Sequence, residues 1–324
     1  MMKLLFVFLV TVIAAAAKPA GYDPLAVGKS EVKSVTFELQ DTKRKREVPI
    51  RVYLPDTKKP APVVLFSHGL GGSRDNNPYL GNHWAGRGYV VVFVQHLGSD
   101  EGVWKEERMG NVMSAMRSAA SAEAFMDRVK DIPFVIDSLS KWNGEKGHDL
   151  FGRMDLDHIG MSGHSFGAVT TQAMAGQSFI GGKISYLEKR IDAAVMMSPS
   201  LPKRGDADKA FGSITMPCLL LTGTKDDSPI GDSSPEDRLK VFPALTAAPA
   251  WQVVFDGATH MDFGQREKGL KKGVLSRYHT AILALTTAFW DAHLKGDKAA
   301  KSWLNGAEAK SSLTEKDVWE MNGK

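Results

Sequence analysis

Ile159-Gly160-Met161-Ser162-Gly163-His164-Ser165-Phe166-Gly167-Ala168 constrains the fold of this chain more than any other stretch. It reads Gly-x-Ser-x-Gly, follows a short apolar-rich run from His158 to Met161, and leads into Ala168 to Ala175, which has the composition of a helix start. Strand, sharp turn and helix, with a serine at the apex, is the context of a nucleophile elbow. Without a Cβ, Gly163 and Gly167 let strand and helix approach closely around a strained turn. The motif alone is weak, because glycine and serine are common. The rest of the chain has to support it.

Continuous apolar runs recur on either side. Pro62 to Ser67, Tyr89 to Val94, Ile191 to Met197, Met216 to Thr222 and Trp251 to Phe255 read as buried strands. Between them lie helical patterns: Tyr79 to Arg87, then Phe125, Val129, Ile132, Ile136 and Leu139 on one face, then Ser276 to Leu294. Pro133 is expected to kink or divide the second of these. Ser276 suits the start of the last, and Gly296 its end. Ahead of them, Val35 to Leu39 and Val48 to Leu54 alternate and read as an antiparallel pair, with Pro49 suited to an edge strand. The run Lys43-Arg44-Lys45-Arg46 between them reads as a solvated hairpin tip. The segment from Asp100 to Ser121 is expected to be helix or loop lying over the sheet. The tail from Ala307 to Lys324 reads as a short docked helix or a frayed end. This alternation predicts an α/β fold: a mostly parallel, twisted sheet with an antiparallel amino-terminal edge and helices on both faces.

The chain begins Met1-Met2-Lys3, continues apolar from Leu4 to Ile13, and then reads Ala14 to Ala17. Charged start, apolar centre and small residues match a secretory signal peptide over residues 1–17, with a single domain over 18–324 and a mature start near Lys18. A secreted or periplasmic location follows, with no stable membrane span once the signal is removed. One cysteine, Cys218, lies in an apolar run and reads as a buried small side chain. A net charge of +4 spread over 324 residues gives no basic patch for nucleic acid.

An activated serine needs a base, and the base needs an orienting group. In open α/β sheets such groups sit on loops at the carboxyl ends of strands. After Thr222 comes Gly223-Thr224-Lys225-Asp226-Asp227-Ser228-Pro229, which offers two adjacent carboxylates. After Phe255 comes Asp256-Gly257-Ala258-Thr259-His260-Met261. Of nine histidines, His260 is the one just beyond a late buried strand in a glycine-led loop. His164 neighbours the serine in sequence, so its side chain is expected to point elsewhere. His279 and His293 sit on the last helix and suit packing or surface roles. Backbone donors for an oxyanion are expected from Phe166, directly after the serine, and from Leu70 in the loop His68-Gly69-Leu70-Gly71-Gly72. Trp104, Phe166 and Met261 are candidates to line a cleft. His83, His96 and Asp100 have no recognisable metal-ligand spacing, and His-Glu-x-x-His does not occur.

On Ser67-His68-Gly69-Leu70-Gly71-Gly72, Gly163-His164-Ser165-Phe166-Gly167, Leu221 to Gly231 and Asp256 to His260, the chain resembles the α/β-hydrolase superfamily across most of its expected mature length. The pattern is similar to the dienelactone-hydrolase, cutinase-like and platelet-activating-factor-acetylhydrolase group. That resemblance implies a carboxylic-ester hydrolase with no metal and no organic cofactor, acting on a small-molecule, lipid-like or polymeric ester. It implies Ser165 as nucleophile, His260 as base, and Asp226 or Asp227 as the acid. Asp226 fits the commoner Gly-x-x-Asp spacing, whereas Asp227 directly precedes a serine, as the acid does in cutinase-like polyester hydrolases. The cysteine nucleophile of some dienelactone hydrolases is absent, and the disulfides common in secreted cutinase-like enzymes cannot form. A peptidase or acyltransferase with the same three residues is the enzyme alternative. A catalytically silent binding protein on the same fold is the non-enzyme alternative.

Overall fold

In a computed structural model, residues 21–28, 31–105, 107–202, 205–231, 233–264 and 275–323 are described. The signal-peptide expectation for 1–17 and the start near Lys18 fall outside them.

The elements in chain order are β1 (Lys33–Asp41), β2 (Arg46–Leu54), β3 (Ala61–Ser67), α1 (Pro78–Gly86), β4 (Val90–Val94), α2 (Gly102–Lys105), α3 (Val112–Ala119) and α4 (Ala122–Gly144). Next come β5 (Met154–His164), α5 (Phe166–Met174), a small hairpin of β6 (Ser178–Phe179) and β7 (Ile184–Ser185), β8 (Ile191–Met197) and α6 (Ala207–Phe211). The chain ends with β9 (Cys218–Lys225), α7 (Pro235–Leu239), α8 (Val241–Ala244), β10 (Ala250–Thr259), α9 (Arg277–Leu294), α10 (Lys298–Asn305) and β11 (Val318–Met321).

Nine strands form one sheet in the order β1-β2-β4-β3-β5-β8-β9-β10-β11 among the described residues. The interior pairs from β4 to β10 are parallel, and the β1–β2, β2–β4 and β10–β11 pairs are antiparallel. Period-two alternation explains why the inner strands are apolar throughout. On β3, Val64 and Phe66 pack with Trp84 of α1 and with Ile282 and Phe289 of α9. Val63 and Leu65 face the other way, toward Val129, Ile132 and Ile136 of α4. With a helix layer on each side, neither face of the strand is left for water. All four β3 residues are fully buried.

Several expectations are corrected. Pro49 is not on an edge: β2 pairs with both β1 and β4. The proline is tolerated because the β4 ladder starts at Ile50, and the Pro49 carbonyl still accepts the Gln95 N–H at 2.8 Å. α4 runs unbroken through Pro133. The forfeited backbone bond costs less than losing the packing of a face that includes Ile132, Val135, Ile136 and Leu139, all buried. The hairpin tip is not simply solvated, since Arg46 grips the buried Asp131 with its Nε at 3.0 Å and Nη2 at 3.1 Å. The tail holds a short docked 3-10 helix, Ala309–Ser312, with Ala309 buried in the core, and then a strand that was not expected. Its residues Val318–Met321 pair antiparallel with β10 and cover what would otherwise be an open sheet edge. The 100–121 segment supplies α2 and α3, which lie beside the cleft at the carboxyl ends of the strands.

Candidate active site

The turn between β5 and α5 carries Ser165 at φ 57° and ψ −117°, a conformation strained for a residue with a Cβ. Its N–H is held by the Met197 carbonyl of the next strand at 3.0 Å. The two flanking glycines are required by contact. A Cβ on Gly163 would fall on the Gly167 carbonyl, and one on Gly167 would fall on the Ser67 carbonyl. That second contact brings the start of α5 against the end of β3. It also sets the loop after β3 beside the elbow: a Cβ on Gly69 would lie 3.3 Å from the Ser165 Cβ.

Three side chains from three strand ends meet there. The Ser165 hydroxyl lies 2.8 Å from His260 Nε2, and His260 Nδ1 lies 2.7 Å from Asp226 Oδ1. A carboxylate can only accept, so Nδ1 carries the proton and Nε2 is left to accept the serine hydroxyl. Asp226 is fully buried, and its second oxygen accepts the Thr222 hydroxyl at 2.9 Å. Asp227 is exposed. The structure thus brings Asp226, and not Asp227, to His260.

Leu70, in the loop after β3, and Phe166, directly after Ser165, both line the same cleft as Ser165. The loop that carries Leu70 is fastened at several points. Gly71 N–H bonds to Ser99 O at 2.9 Å, Gly72 N–H to Gly69 O at 3.0 Å, and the Trp104 indole N–H to Gly71 O at 2.7 Å.

Sequence reasoning missed three groups around this centre. His164 does not point away: its ring lies 4.8 Å from that of His260, and its Nε2–H donates to the His260 carbonyl at 3.0 Å. Burial, followed by the nearby His260 and Arg238 charges, holds the His164 imidazole well below its usual range, so it is a neutral prop. Arg238, at the end of the capped helix α7, is buried behind Asp226. Its Nε donates to the Asp226 carbonyl at 2.7 Å and lies 3.1 Å from Asp226 Oδ1, while Nη1 donates to the Ser198 and Pro199 carbonyls, each at 2.9 Å. Arg128 of α4 is the third; its guanidinium stacks 4.3 Å from the Phe166 ring centroid. No spacing rule links these residues to the serine. They arrive from other elements.

The cleft over Ser165 encloses about 1600 Å³. Trp104, Met113, Met116, Phe125, Phe179 and Ile180 give it an apolar wall, and Phe166 and Met261 also line it. Cys218 lies elsewhere, in the core, with burial pushing its thiol up to about 12. Among the described residues, no cluster of three His, Cys, Asp or Glu side chains is arranged to hold a metal ion, and no helix is long and apolar enough to cross a membrane.

A model of the X-Pro dipeptidyl-peptidase (S15) family matches residues 46–180, from β2 through the elbow. No curated protein sequence matches the chain. Among solved structures, a ferulic acid esterase from Streptomyces cinnamoneus is similar, with a TM-score of 0.59 and 20% identity over 93% of this chain and 98% of that one. In all, 1057 solved chains match, and likeness of fold does not by itself specify a substrate. Sheet order, elbow and these likenesses agree on one architecture: the chain has the α/β-hydrolase fold.

Proposed function

We propose that this chain is a serine hydrolase that cleaves carboxylic esters through an acyl-enzyme. The observation that carries this reading is the continuous hydrogen-bonded line from Ser165 through His260 to Asp226, opening into a large apolar cleft. In this reading the Ser165 oxygen attacks the ester carbonyl as its proton passes to His260 Nε2. Asp226 stabilises the imidazolium, and the Leu70 and Phe166 N–H groups take the charge that develops on the carbonyl oxygen. The imidazolium then protonates the leaving alcohol. A water, deprotonated by the same nitrogen, releases the acid. The apolar wall suits an ester with a bulky aliphatic or aromatic acyl group. The amino-terminal pattern supports action outside the cytoplasm.

The match to the X-Pro dipeptidyl-peptidase family supports a second reading, cleavage of peptides. A dipeptidyl peptidase must hold the substrate's free ammonium group. Among the described lining residues Asp237 is the one carboxylate, and it is engaged with the Lys240 ammonium at 2.8 Å and in the Ser234 capping box. That favours the ester. The test compares p-nitrophenyl esters of graded acyl length and methyl ferulate with Ala-Pro-p-nitroanilide, alongside fluorophosphonate labelling read by mass spectrometry. The expected outcome is ester turnover, label on Ser165, and loss of both in Ser165→Ala. Anilide turnover far above ester turnover would favour the peptidase. Wild-type turnover by Ser165→Ala would reject the mechanism.

A further inference from the structure

We propose that Arg128 is the positioning residue that ties the two backbone donors of the oxyanion hole into one rigid unit. This rests on the reading of Leu70 and Phe166 as those donors.

Arg128 is fully buried, and every strong contact it makes leads toward the hole. Nη1 donates to the His68 carbonyl at 2.7 Å, Nε to the Ser99 hydroxyl at 2.8 Å, and Nη2 to the Ser99 carbonyl at 3.4 Å. Its flat face lies 4.3 Å from the centroid of the Phe166 ring. Among the described residues no carboxylate makes a direct ion pair with Arg128, and the Asp131 and Asp100 charges act on it only from farther off. Burying a guanidinium without such a partner is costly, and packing alone would be served by a methionine of similar length. The features that distinguish arginine here are its charge and the planar fork, which bonds along its edges while its face stacks on a ring.

The fork acts on the Leu70 side through one peptide plane. His68 Nε2 accepts the His96 backbone N–H at 3.0 Å, so the imidazole proton sits on Nδ1. Nδ1–H then donates to the Gly69 carbonyl at 2.6 Å, and the Gly72 N–H donates to the same oxygen at 3.0 Å. The Gly69 carbonyl and the Leu70 N–H are opposite ends of one planar trans peptide, so pinning the oxygen to one side aims the N–H to the other. Arg128 holds the preceding carbonyl, that of His68, and thereby the entry into this plane. Burial, with the Arg128 charge beside it, holds the His68 imidazole well below its ordinary range and keeps the single Nδ1 proton in place.

The same fork acts on the other donor through Phe166. Its N–H follows the strained Ser165 at the start of α5, and its ring is the surface on which the guanidinium lies. One planar cation therefore references both donors to each other, although they come from loops nearly a hundred residues apart in the sequence. It touches no reacting atom in this arrangement.

The experiment uses Arg128→Met and Arg128→Lys in the full-length protein. It measures kcat and KM on p-nitrophenyl butyrate, the inhibition constant of butylboronic acid, and Tm, with active sites counted by fluorophosphonate. Butylboronic acid forms a tetrahedral adduct on the serine and so reports the hole directly. For Arg128→Met the expected result is a fall in kcat of about 10- to 100-fold, smaller than outright loss of a donor. KM should stay within about threefold, and boronate binding should weaken in step with kcat. Arg128→Lys keeps the charge without the fork and is expected to lose nearly as much. If Arg128→Met does not fold, Arg128→Lys decides alone. Wild-type kcat in the lysine variant would overturn the proposal, as would a loss confined to Tm or KM. If wild-type protein takes neither label nor boronate at Ser165, the catalytic reading itself fails. If wild type and variants respond alike, only the role of Arg128 does.

Discussion

Replacing Asp226 with asparagine separates charge from geometry in the relay. Oδ1 of Asp226 accepts the His260 Nδ1–H at 2.7 Å and lies 3.1 Å from the Arg238 Nε, whose hydrogen goes to the Asp226 carbonyl, and Oδ2 accepts the Thr222 hydroxyl at 2.9 Å. An asparagine would keep its oxygen toward the His260 N–H and the Arg238 cation and turn its amide nitrogen to Thr222. The Thr222 hydroxyl would reverse to accept. Position and tautomer of His260 thus survive, and the negative charge is what disappears. A carboxylate about 3 Å from an imidazolium is worth about 5 kcal/mol at an effective dielectric of ~20. Arg238 already shares part of that charge, so a loss of about 4 kcal/mol, or about 10³-fold in kcat, is expected. The substitution also strands the buried Arg238 cation, at about 3–5 kcal/mol of stability. Asp226→Asn combined with Arg238→Met should recover most of that stability and none of the kcat. Asp227 is exposed, so Asp227→Asn should stay within about threefold of wild type. The assay is kcat on one activated ester per counted active site, with folding checked by circular dichroism and urea titration. A larger loss in Asp227→Asn would refute the reasoning. Small, equal losses in both would show that this loop does not supply the acid.

Two further outcomes follow from contacts away from the relay. Gly167→Ala drives a methyl into the Ser67 carbonyl, which is backbone on both sides and cannot yield; a destabilisation of about 3 kcal/mol or more is expected in urea titration, together with loss of turnover. His293 packs on Trp251 and Phe289, and burial, aided by Lys301, lowers its imidazole to about 4. Its folded pKa is below the unfolded value of about 6.5, so the unfolded chain takes up the proton first and stability falls as pH drops from about 6.5 to about 4. The loss from this one group is about 3 kcal/mol, and His293→Leu should flatten the profile by that amount; an unchanged slope would mean that His293 does not hold its neutral form.

Much of this molecule is legible in its residues because local chemistry decides it. Gly163 and Gly167 are dictated by a turn with no room for a Cβ, and the apolar runs by strands covered on both faces. The Asp226 and His260 segments announce themselves by a glycine close behind a buried apolar run, although both glycines lie within β9 and β10. Ser276 caps α9 through the His279 N–H, as serine before a helical pattern predicts.

The remainder depended on partners far away in the sequence. Val318–Met321 becomes a strand because β10 offers a free edge, which a four-residue stretch of mixed polarity does not advertise. Pro133 stays inside a helix because residues on both sides of it, Val129 and Ile132 before and Val135, Ile136 and Leu139 after, are buried in one core. Arg46 is drawn from the hairpin tip by Asp131, and Arg128 and Arg238 reach the strand ends from helices with no motif of their own. Asp226 and Asp227 are alike as letters. A tight turn sends adjacent side chains different ways, and packing buried one against Arg238 and His260 and left the other in water. Short-range sterics and periodicity leave their mark on neighbouring residues. A buried charge finds its partner only once the sheet has brought separate loops together, so that choice belongs to the tertiary structure.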